Sequence, residues 1–154
     1  LGVNATGTVA LTAATNNVDT VAIAANGNVD FVDATGFTVG TVSVAGIDAG
    51  NGDIFLNALT GNVTISQDVS ATGSINVQLD ADEALLTNSA QISTTLNSTA
   101  AGVDLTADKM NLGGGTISAT NAVVTLTTSN IDAIDLGAGA DGGSLNFGCN
   151  PDVA

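Results

Sequence analysis

The chain has 154 residues and a formal net charge of −14, with Lys109 as its one basic residue and no His. Nucleic acid and anionic lipid both call for clustered Lys or Arg, so the charge argues against either as a partner, and the missing His excludes Ser–His–Asp chemistry. Hydrophobic residues make up 44% but aromatics only 3%, with no Trp or Tyr; Val, Ile, Leu and Ala suit a narrow core, about 10 Å between facing sheets.

In chain order, residues 1–15 hold GTVAL from Gly7, with Val9 and Leu11 facing inward. VDTVAIA (18–24) is a buried-strand pattern, and GNVDF follows from Gly27. FTVGTVSV (37–44) alternates around Gly40, which predicts a bend where one strand hands over to the next. Ile47 leads into the turn cluster Gly50-Asn51-Gly52-Asp53. From Gly52 to Leu79 three short runs carry Ile54 and Leu56, then Val63 and Ile65, then Ile75, Val77 and Leu79. Their period of two, their β-branched content and their Gly, Asn, Ser and Thr borders predict strands, making about one and a half turns of a repeating coil. Residues 90–96 form a weaker strand with Ile92 and Leu96. Val103 and Leu105 follow, then Leu112-Gly113-Gly114-Gly115 with Ile117, then AVVTLTT (122–128). Ile131, Ile134 and Leu136 precede the turn GAGADGG, and Leu145 and Phe147 end the series. The tail GCNPDVA holds the single proline, Pro151, which should end strand pairing.

A Gly, once replaced by Ala, followed by two apolar residues separated by one, recurs from Gly7, Gly27, Gly52, Gly73, Gly102, Ala122 and Gly143. Subtracting neighbours gives spacings of 20, 25, 21, 29, 20 and 21. Such a period marks a solenoid, and no composition shift divides it, so residues 1–147 read as a single β-solenoid domain with a non-repeat tail at 148–154. About six to seven coils of roughly 20–25 residues are expected. In a parallel coil, equivalent residues stack about 4.8 Å apart. One inward column then contains Val9, Val29, Ile54, Ile75, Val103, Val124 and Leu145. The outward column beside it contains Ala10, Asp30, Phe55, Asn76, Asp104, Thr125 and Asn146, with no two Asp adjacent.

The segment FTVGTVSVAGIDAGNGDIFLNALTGNVTISQDVSATGSINVQL, with GVDLTA, TISATNAVVTLTTSN and GAGADGGSLNF, resembles the β-strand repeats of large bacterial surface adhesins, the filamentous-haemagglutinin-like and autotransporter-passenger proteins. The resemblance spans nearly all of residues 5–147. It implies a right-handed parallel β-helix, export across the bacterial envelope and work outside the cell. The shared residues are structural, so no residue-level site transfers with it.

The candidates for chemistry are few. DADEALLT (80–87) fills the longest gap between copies and reads as a corner insertion; the competing reading is a short helical turn with Asp80 as N-cap and Glu83 closing a capping box. Asp80, Asp82 and Glu83 are closely spaced hard oxygens that suggest calcium, and GAGADGG around Asp141 is faintly similar to calcium-binding nonapeptide repeats. That repeat wants an apolar residue where Gly143 stands, so solvated acidic corners are the plainer reading. Lys109 is the sole basic side chain that could act as a base, and reads as a surface lysine. Cys149 lacks a His partner for nucleophilic catalysis and permits no intrachain disulfide. Asn4, Asn62 and Asn97 begin N-x-Ser/Thr triplets at the frequency that chance supplies in so Asn- and Thr-rich a chain. Thr6/Thr8 and Thr125/Thr127 fit the Thr-x-Thr pattern of an ice-binding face, whereas the coils between them do not. No catalytic residue, metal site or cofactor is expected.

No stretch approaches about 18 uninterrupted apolar residues, so no membrane-spanning helix is expected. The absence of an initiator Met and of a signal peptide suggests a processed product or a segment of a longer chain. LGVNATGTVAL enters the first copy at once, with no capping helix and no charge before Asp19. Uncapped solenoid ends expose unpaired backbone above an apolar core. The expectation is therefore a non-enzymatic extracellular structural protein, a unit or segment of a bacterial surface fibre or adhesin. It would stack end to end or continue in a longer chain, and cell-surface glycans or proteins are possible partners. The alternatives are a carbohydrate-binding or carbohydrate-cleaving β-helix, which the lack of Trp, Tyr, Arg and His disfavours, and an ice-binding solenoid.

Overall fold

The computed structural model describes residues 1–96 and 101–129. They form short strands with parallel neighbours, wound into stacked coils. In chain order these are β1 (Gly2–Asn4), β2 (Val9–Leu11), β3 (Thr20–Ala24), β4 (Val29–Asp33), β5 (Phe37–Val39), β6 (Ile47–Asp48), β7 (Ile54–Ala58) and β8 (Val63–Ile65). They continue with β9 (Val69–Ala71), β10 (Ile75–Leu79), β11 (Leu85–Asn88), β12 (Gln91–Thr94), β13 (Ala101–Thr106), β14 (Lys109–Asn111), β15 (Thr116–Ala119) and β16 (Val123–Thr127). The first face of the solenoid is the ladder β2-β4-β7-β10-β13-β16. The second is β5-β8-β11-β14, and the third is β6-β9-β12-β15. Strand β3 belongs to both of the latter: Thr20 and Val21 pair with β5, while Ile23 and Ala24 pair with β6.

Every copy of the motif that lies among the described residues falls on a strand of the first face. The expected inward column is present rung by rung, Val9 on Val29, Ile54, Ile75, Val103 and Val124. A second column two residues on runs Leu11, Phe31, Leu56, Val77, Leu105 and Leu126. The other faces contribute Phe37-Val63-Leu86-Met110 and Ile23-Ile47-Val69-Ile92-Ile117. These columns meet in one continuous apolar core. It is mainly aliphatic, with one aromatic contact among the described residues: Phe31 and Phe37 pack edge to face at 5.0 Å across the corner between the first two faces. Such a pair adds about 0.5–1.5 kcal/mol beyond the area it buries.

Several expectations are corrected. The described residues make about five turns, not six to seven, because six copies of the motif bound only five turns; the seventh, from Gly143, and the tail 148–154 lie outside the described residues. Each full turn uses three strands, not two. The missed strand of the central stretch is β9, Val-Ser-Ala, whose inward residues Val69 and Ala71 are too few and too small to stand out. The run 37–44 does not hand over to a second strand at Gly40. It ends at Gly40, and Thr41–Ala45 form a loop closed by an antiparallel Thr41–Ala45 bridge and a Gly46 N–H to Gly40 C=O hydrogen bond of 2.8 Å. Residues 80–84, by contrast, are the corner that the preferred reading expected, a turn with Glu83 at φ 63° and β11 starting at Leu85. The strand expected over 90–96 stops at Thr94, which takes the inward position next to Ala71 and Ala119; Leu96 is half-buried. At Gly102 the register shifts by one residue against β16, which accounts for part of the uneven spacing there.

Candidate functional surface

The polar side chains at the corners are engaged chiefly with the neighbouring coil. Backbone leaving a sheet loses its ladder partners, and its N–H and C=O groups need replacements. At the corner entering the first face, the Asp53 N–H donates to Asn28 Oδ1 at 3.1 Å. Its own Oδ1 accepts from the Ser74 N–H at 2.7 Å and the Ser74 hydroxyl at 3.0 Å. The same device recurs where Asn62 Oδ1 accepts from the Leu85 N–H at 2.8 Å and Asp68 Oδ1 from the Gln91 N–H at 3.0 Å. Hydroxyls run the other way: Ser66 donates to Val39 C=O, Ser89 to Ile65 C=O and Thr60 to Ala34 C=O. Asp33 is fully buried and accepts from the Val18 N–H, the Thr35 N–H and the Thr35 hydroxyl.

Three glycines of the motif, Gly27, Gly52 and Gly73, stand in this corner for a steric reason. A Cβ on Gly27 would lie 2.9 Å from Thr8 N, one on Gly52 2.2 Å from the Gly27 carbonyl carbon, and one on Gly73 2.6 Å from Gly52 O. Successive coils turn so tightly here that backbone rests on backbone, leaving no room for a side chain.

The acidic corner does not assemble into a cation site. Among the described residues no group of three or more His, Cys, Asp or Glu is placed to hold a metal. Asp80 accepts from Gln78 Nε2 at 2.6 Å and from Asn57 Nδ2 at 3.1 Å. Glu83 is turned instead toward Lys109, with which it forms an ion pair on an exposed edge. Its hydrogen bond, reinforced by its charge, raises the pKa of the Lys109 ammonium above the ordinary value. Asp108 Oδ2 accepts from the Glu83 N–H at 2.8 Å. Asp141 and Cys149 lie outside the described residues, as does Asn97. Asn4 is on β1, and Asn62 is the corner acceptor for Leu85.

The outward surfaces differ in character. On the first face Ala10, Asp30, Phe55, Asn76, Asp104 and Thr125 stack as expected, keeping the two Asp apart. On the second face Thr20, Thr38, Thr64 and Thr87 stack in register, followed by Asn111. A search for Thr-x-Thr pairs misses this column, because its members lie 18, 26 and 23 residues apart and only the fold aligns them. A shallow open hollow beside it is lined by Asp19, Gly36, Phe37, Thr38, Asn62 and Thr64.

Fold and corners together define a parallel β-solenoid whose polar residues clamp one coil to the next. Compared with family models, curated proteins and solved structures, the chain has no match.

Proposed function

We propose that the chain is a non-enzymatic structural solenoid, a unit or segment of a bacterial surface fibre or adhesin that works outside the cell. The observation that carries this reading is the use of the corner side chains. Asn28, Asp53, Asn62, Asp68, Ser66 and Ser89 each hold an adjacent coil. A protein whose polar side chains serve coil-to-coil cohesion is suited to act as a rod. Its parallel stacking also allows extension along the axis without a change of design. The sequence resemblance to adhesin repeats supports the extracellular setting. The charge of −14 would keep rods from clumping sideways at low ionic strength. Cell-surface glycans or proteins are the proposed ligands of such a rod.

Electron microscopy of native material with gold-labelled antibody tests the proposal. The expected result is label along filaments at the outer cell surface. Label confined to the cell interior, or on discrete globular particles, would overturn it.

A further inference from the structure

We propose that Asn26 is a site of spontaneous modification, at which the side chain closes on the Gly27 amide to a succinimide that water opens to aspartate and isoaspartate. The chain holds two Asn-Gly pairs, Asn26-Gly27 and Asn51-Gly52, one coil apart, and both Asn side chains are exposed. Glycine leaves the following amide nitrogen unshielded by a side chain, so by sequence alone the two pairs are alike. The fold separates them. Five residues lie between Asp48 and Ile54, and the additional one, Gly50 at φ 55°, lets the chain fold back so that the Gly52 N–H donates to Ala49 C=O at 3.0 Å. Only four residues lie between Ala24 and Val29, and the Gly27 N–H has no hydrogen-bond partner among the described residues. A nitrogen committed to a carbonyl keeps its proton and is held in place, whereas the Gly27 nitrogen is free to lose its proton and attack.

The second difference lies in the group attacked. Asn51 Nδ2 donates to Asn26 Oδ1 at 3.0 Å. This bond polarises the Asn26 amide and supports the negative charge that collects on Oδ1 as the tetrahedral intermediate forms. Asn51 Oδ1 receives no such donor among the described residues. In the step itself the Gly27 nitrogen gives its proton to solvent hydroxide, and its electron pair forms the bond to Asn26 Cγ. The Cγ–Oδ1 π pair moves onto Oδ1. On its return the Cγ–Nδ2 bond breaks, and Nδ2 leaves as ammonia with a proton taken from water. Water then opens the ring at Cγ to give aspartate, or at the Asn26 main-chain carbonyl to give isoaspartate, whose backbone runs through one extra methylene. Either product adds a negative charge to a chain of net charge −14. The extra methylene falls where Gly52 rests on the Gly27 backbone, so the isoaspartyl chain loses its fit at this corner.

The test is incubation of the intact 154-residue chain in mildly alkaline buffer, followed by peptide mass mapping and enzymatic methyl labelling of isoaspartyl residues, which reads both pairs in one sample. In the folded chain Asn26 should lose ammonia about tenfold faster than Asn51, the scale set by one hydrogen bond gained and one avoided. In concentrated urea, where neither bond survives, the two should react at similar rates. Asn51→Ala should slow Asn26 by about threefold to tenfold, the loss of one neutral hydrogen bond, with the circular dichroism spectrum unchanged. A folded chain in which Asn51 reacts as fast as Asn26 or faster, or an excess at Asn26 that persists in urea, overturns the assignment of the site to the fold. An Asn26 rate that is unchanged or raised in Asn51→Ala overturns the part given to Asn51.

Discussion

A methyl group placed on Gly52 would sit 2.2 Å from the carbonyl carbon of Gly27, one coil below. The contact is between two backbones, so no side chain can swing aside to relieve it. Forcing atoms into such a site costs about 1–3 kcal/mol or more. Gly52→Ala should therefore lower the melting temperature, by on the order of 10 °C for about 3 kcal/mol in a chain of this size. Differential scanning calorimetry would detect it, and an unchanged melting temperature would show that the coils are spaced more widely at this corner.

Ile54 is buried to 1% exposure between Val29 and Ile75. Ile54→Ala removes a rung from an apolar column and should cost about 2–5 kcal/mol. Ile54→Asp places a carboxylate there without a partner and should prevent folding or leave only residual structure. Urea unfolding followed by circular dichroism distinguishes the two, and near-parent stability of Ile54→Asp would mean that this side chain faces water.

Asp33 holds two backbone N–H groups and a hydroxyl at the corner after β4. Asp33→Ala leaves the three donors without their acceptor, at about 1–3 kcal/mol for each that stays buried. The variant should lose several kcal/mol by chemical denaturation, and Asp33→Asn, which keeps an acceptor oxygen, should lose less. Equal losses in the two variants would show that acceptance of these hydrogen bonds is not what Asp33 contributes.

Calcium should have little effect on the described acidic corner. Asp80 is turned to Gln78 and Asn57, while Glu83 is turned to Lys109. Millimolar calcium is expected to raise the melting temperature slightly and without saturation, as general screening does. Saturable stabilisation that disappears in an Asp80→Asn/Asp82→Asn double variant would establish a cation site.

Over the described residues the first face was legible in the sequence, because its strands are mostly the longest and its motif combines a glycine with two inward aliphatics. Val29, Ile54 and Ile75 announce their shared column by type and position alone. The third face was legible only in part: the strands around Ile92 and Ile117 could be read, whereas β6 and β9 present inward only Ile47, and Val69 with Ala71. Strands so short carry too few residues for a period of two to show.

What the sequence alone determined was the repeat, the inward and outward columns of the first face, and the avoidance of adjacent Asp. These follow from local alternation and spacing. What only the tertiary structure decided was where each polar residue ends its reach. Asn62 meets Leu85, Asp68 meets Gln91 and four threonines line up on the second face. Corner lengths vary from coil to coil, so the threonine column steps by 18, 26 and 23 residues and no single spacing runs the length of the solenoid. Their partnership is set by the stacking of whole coils, which the apolar core enforces, and the corner hydrogen bonds form where that stacking brings donor to acceptor.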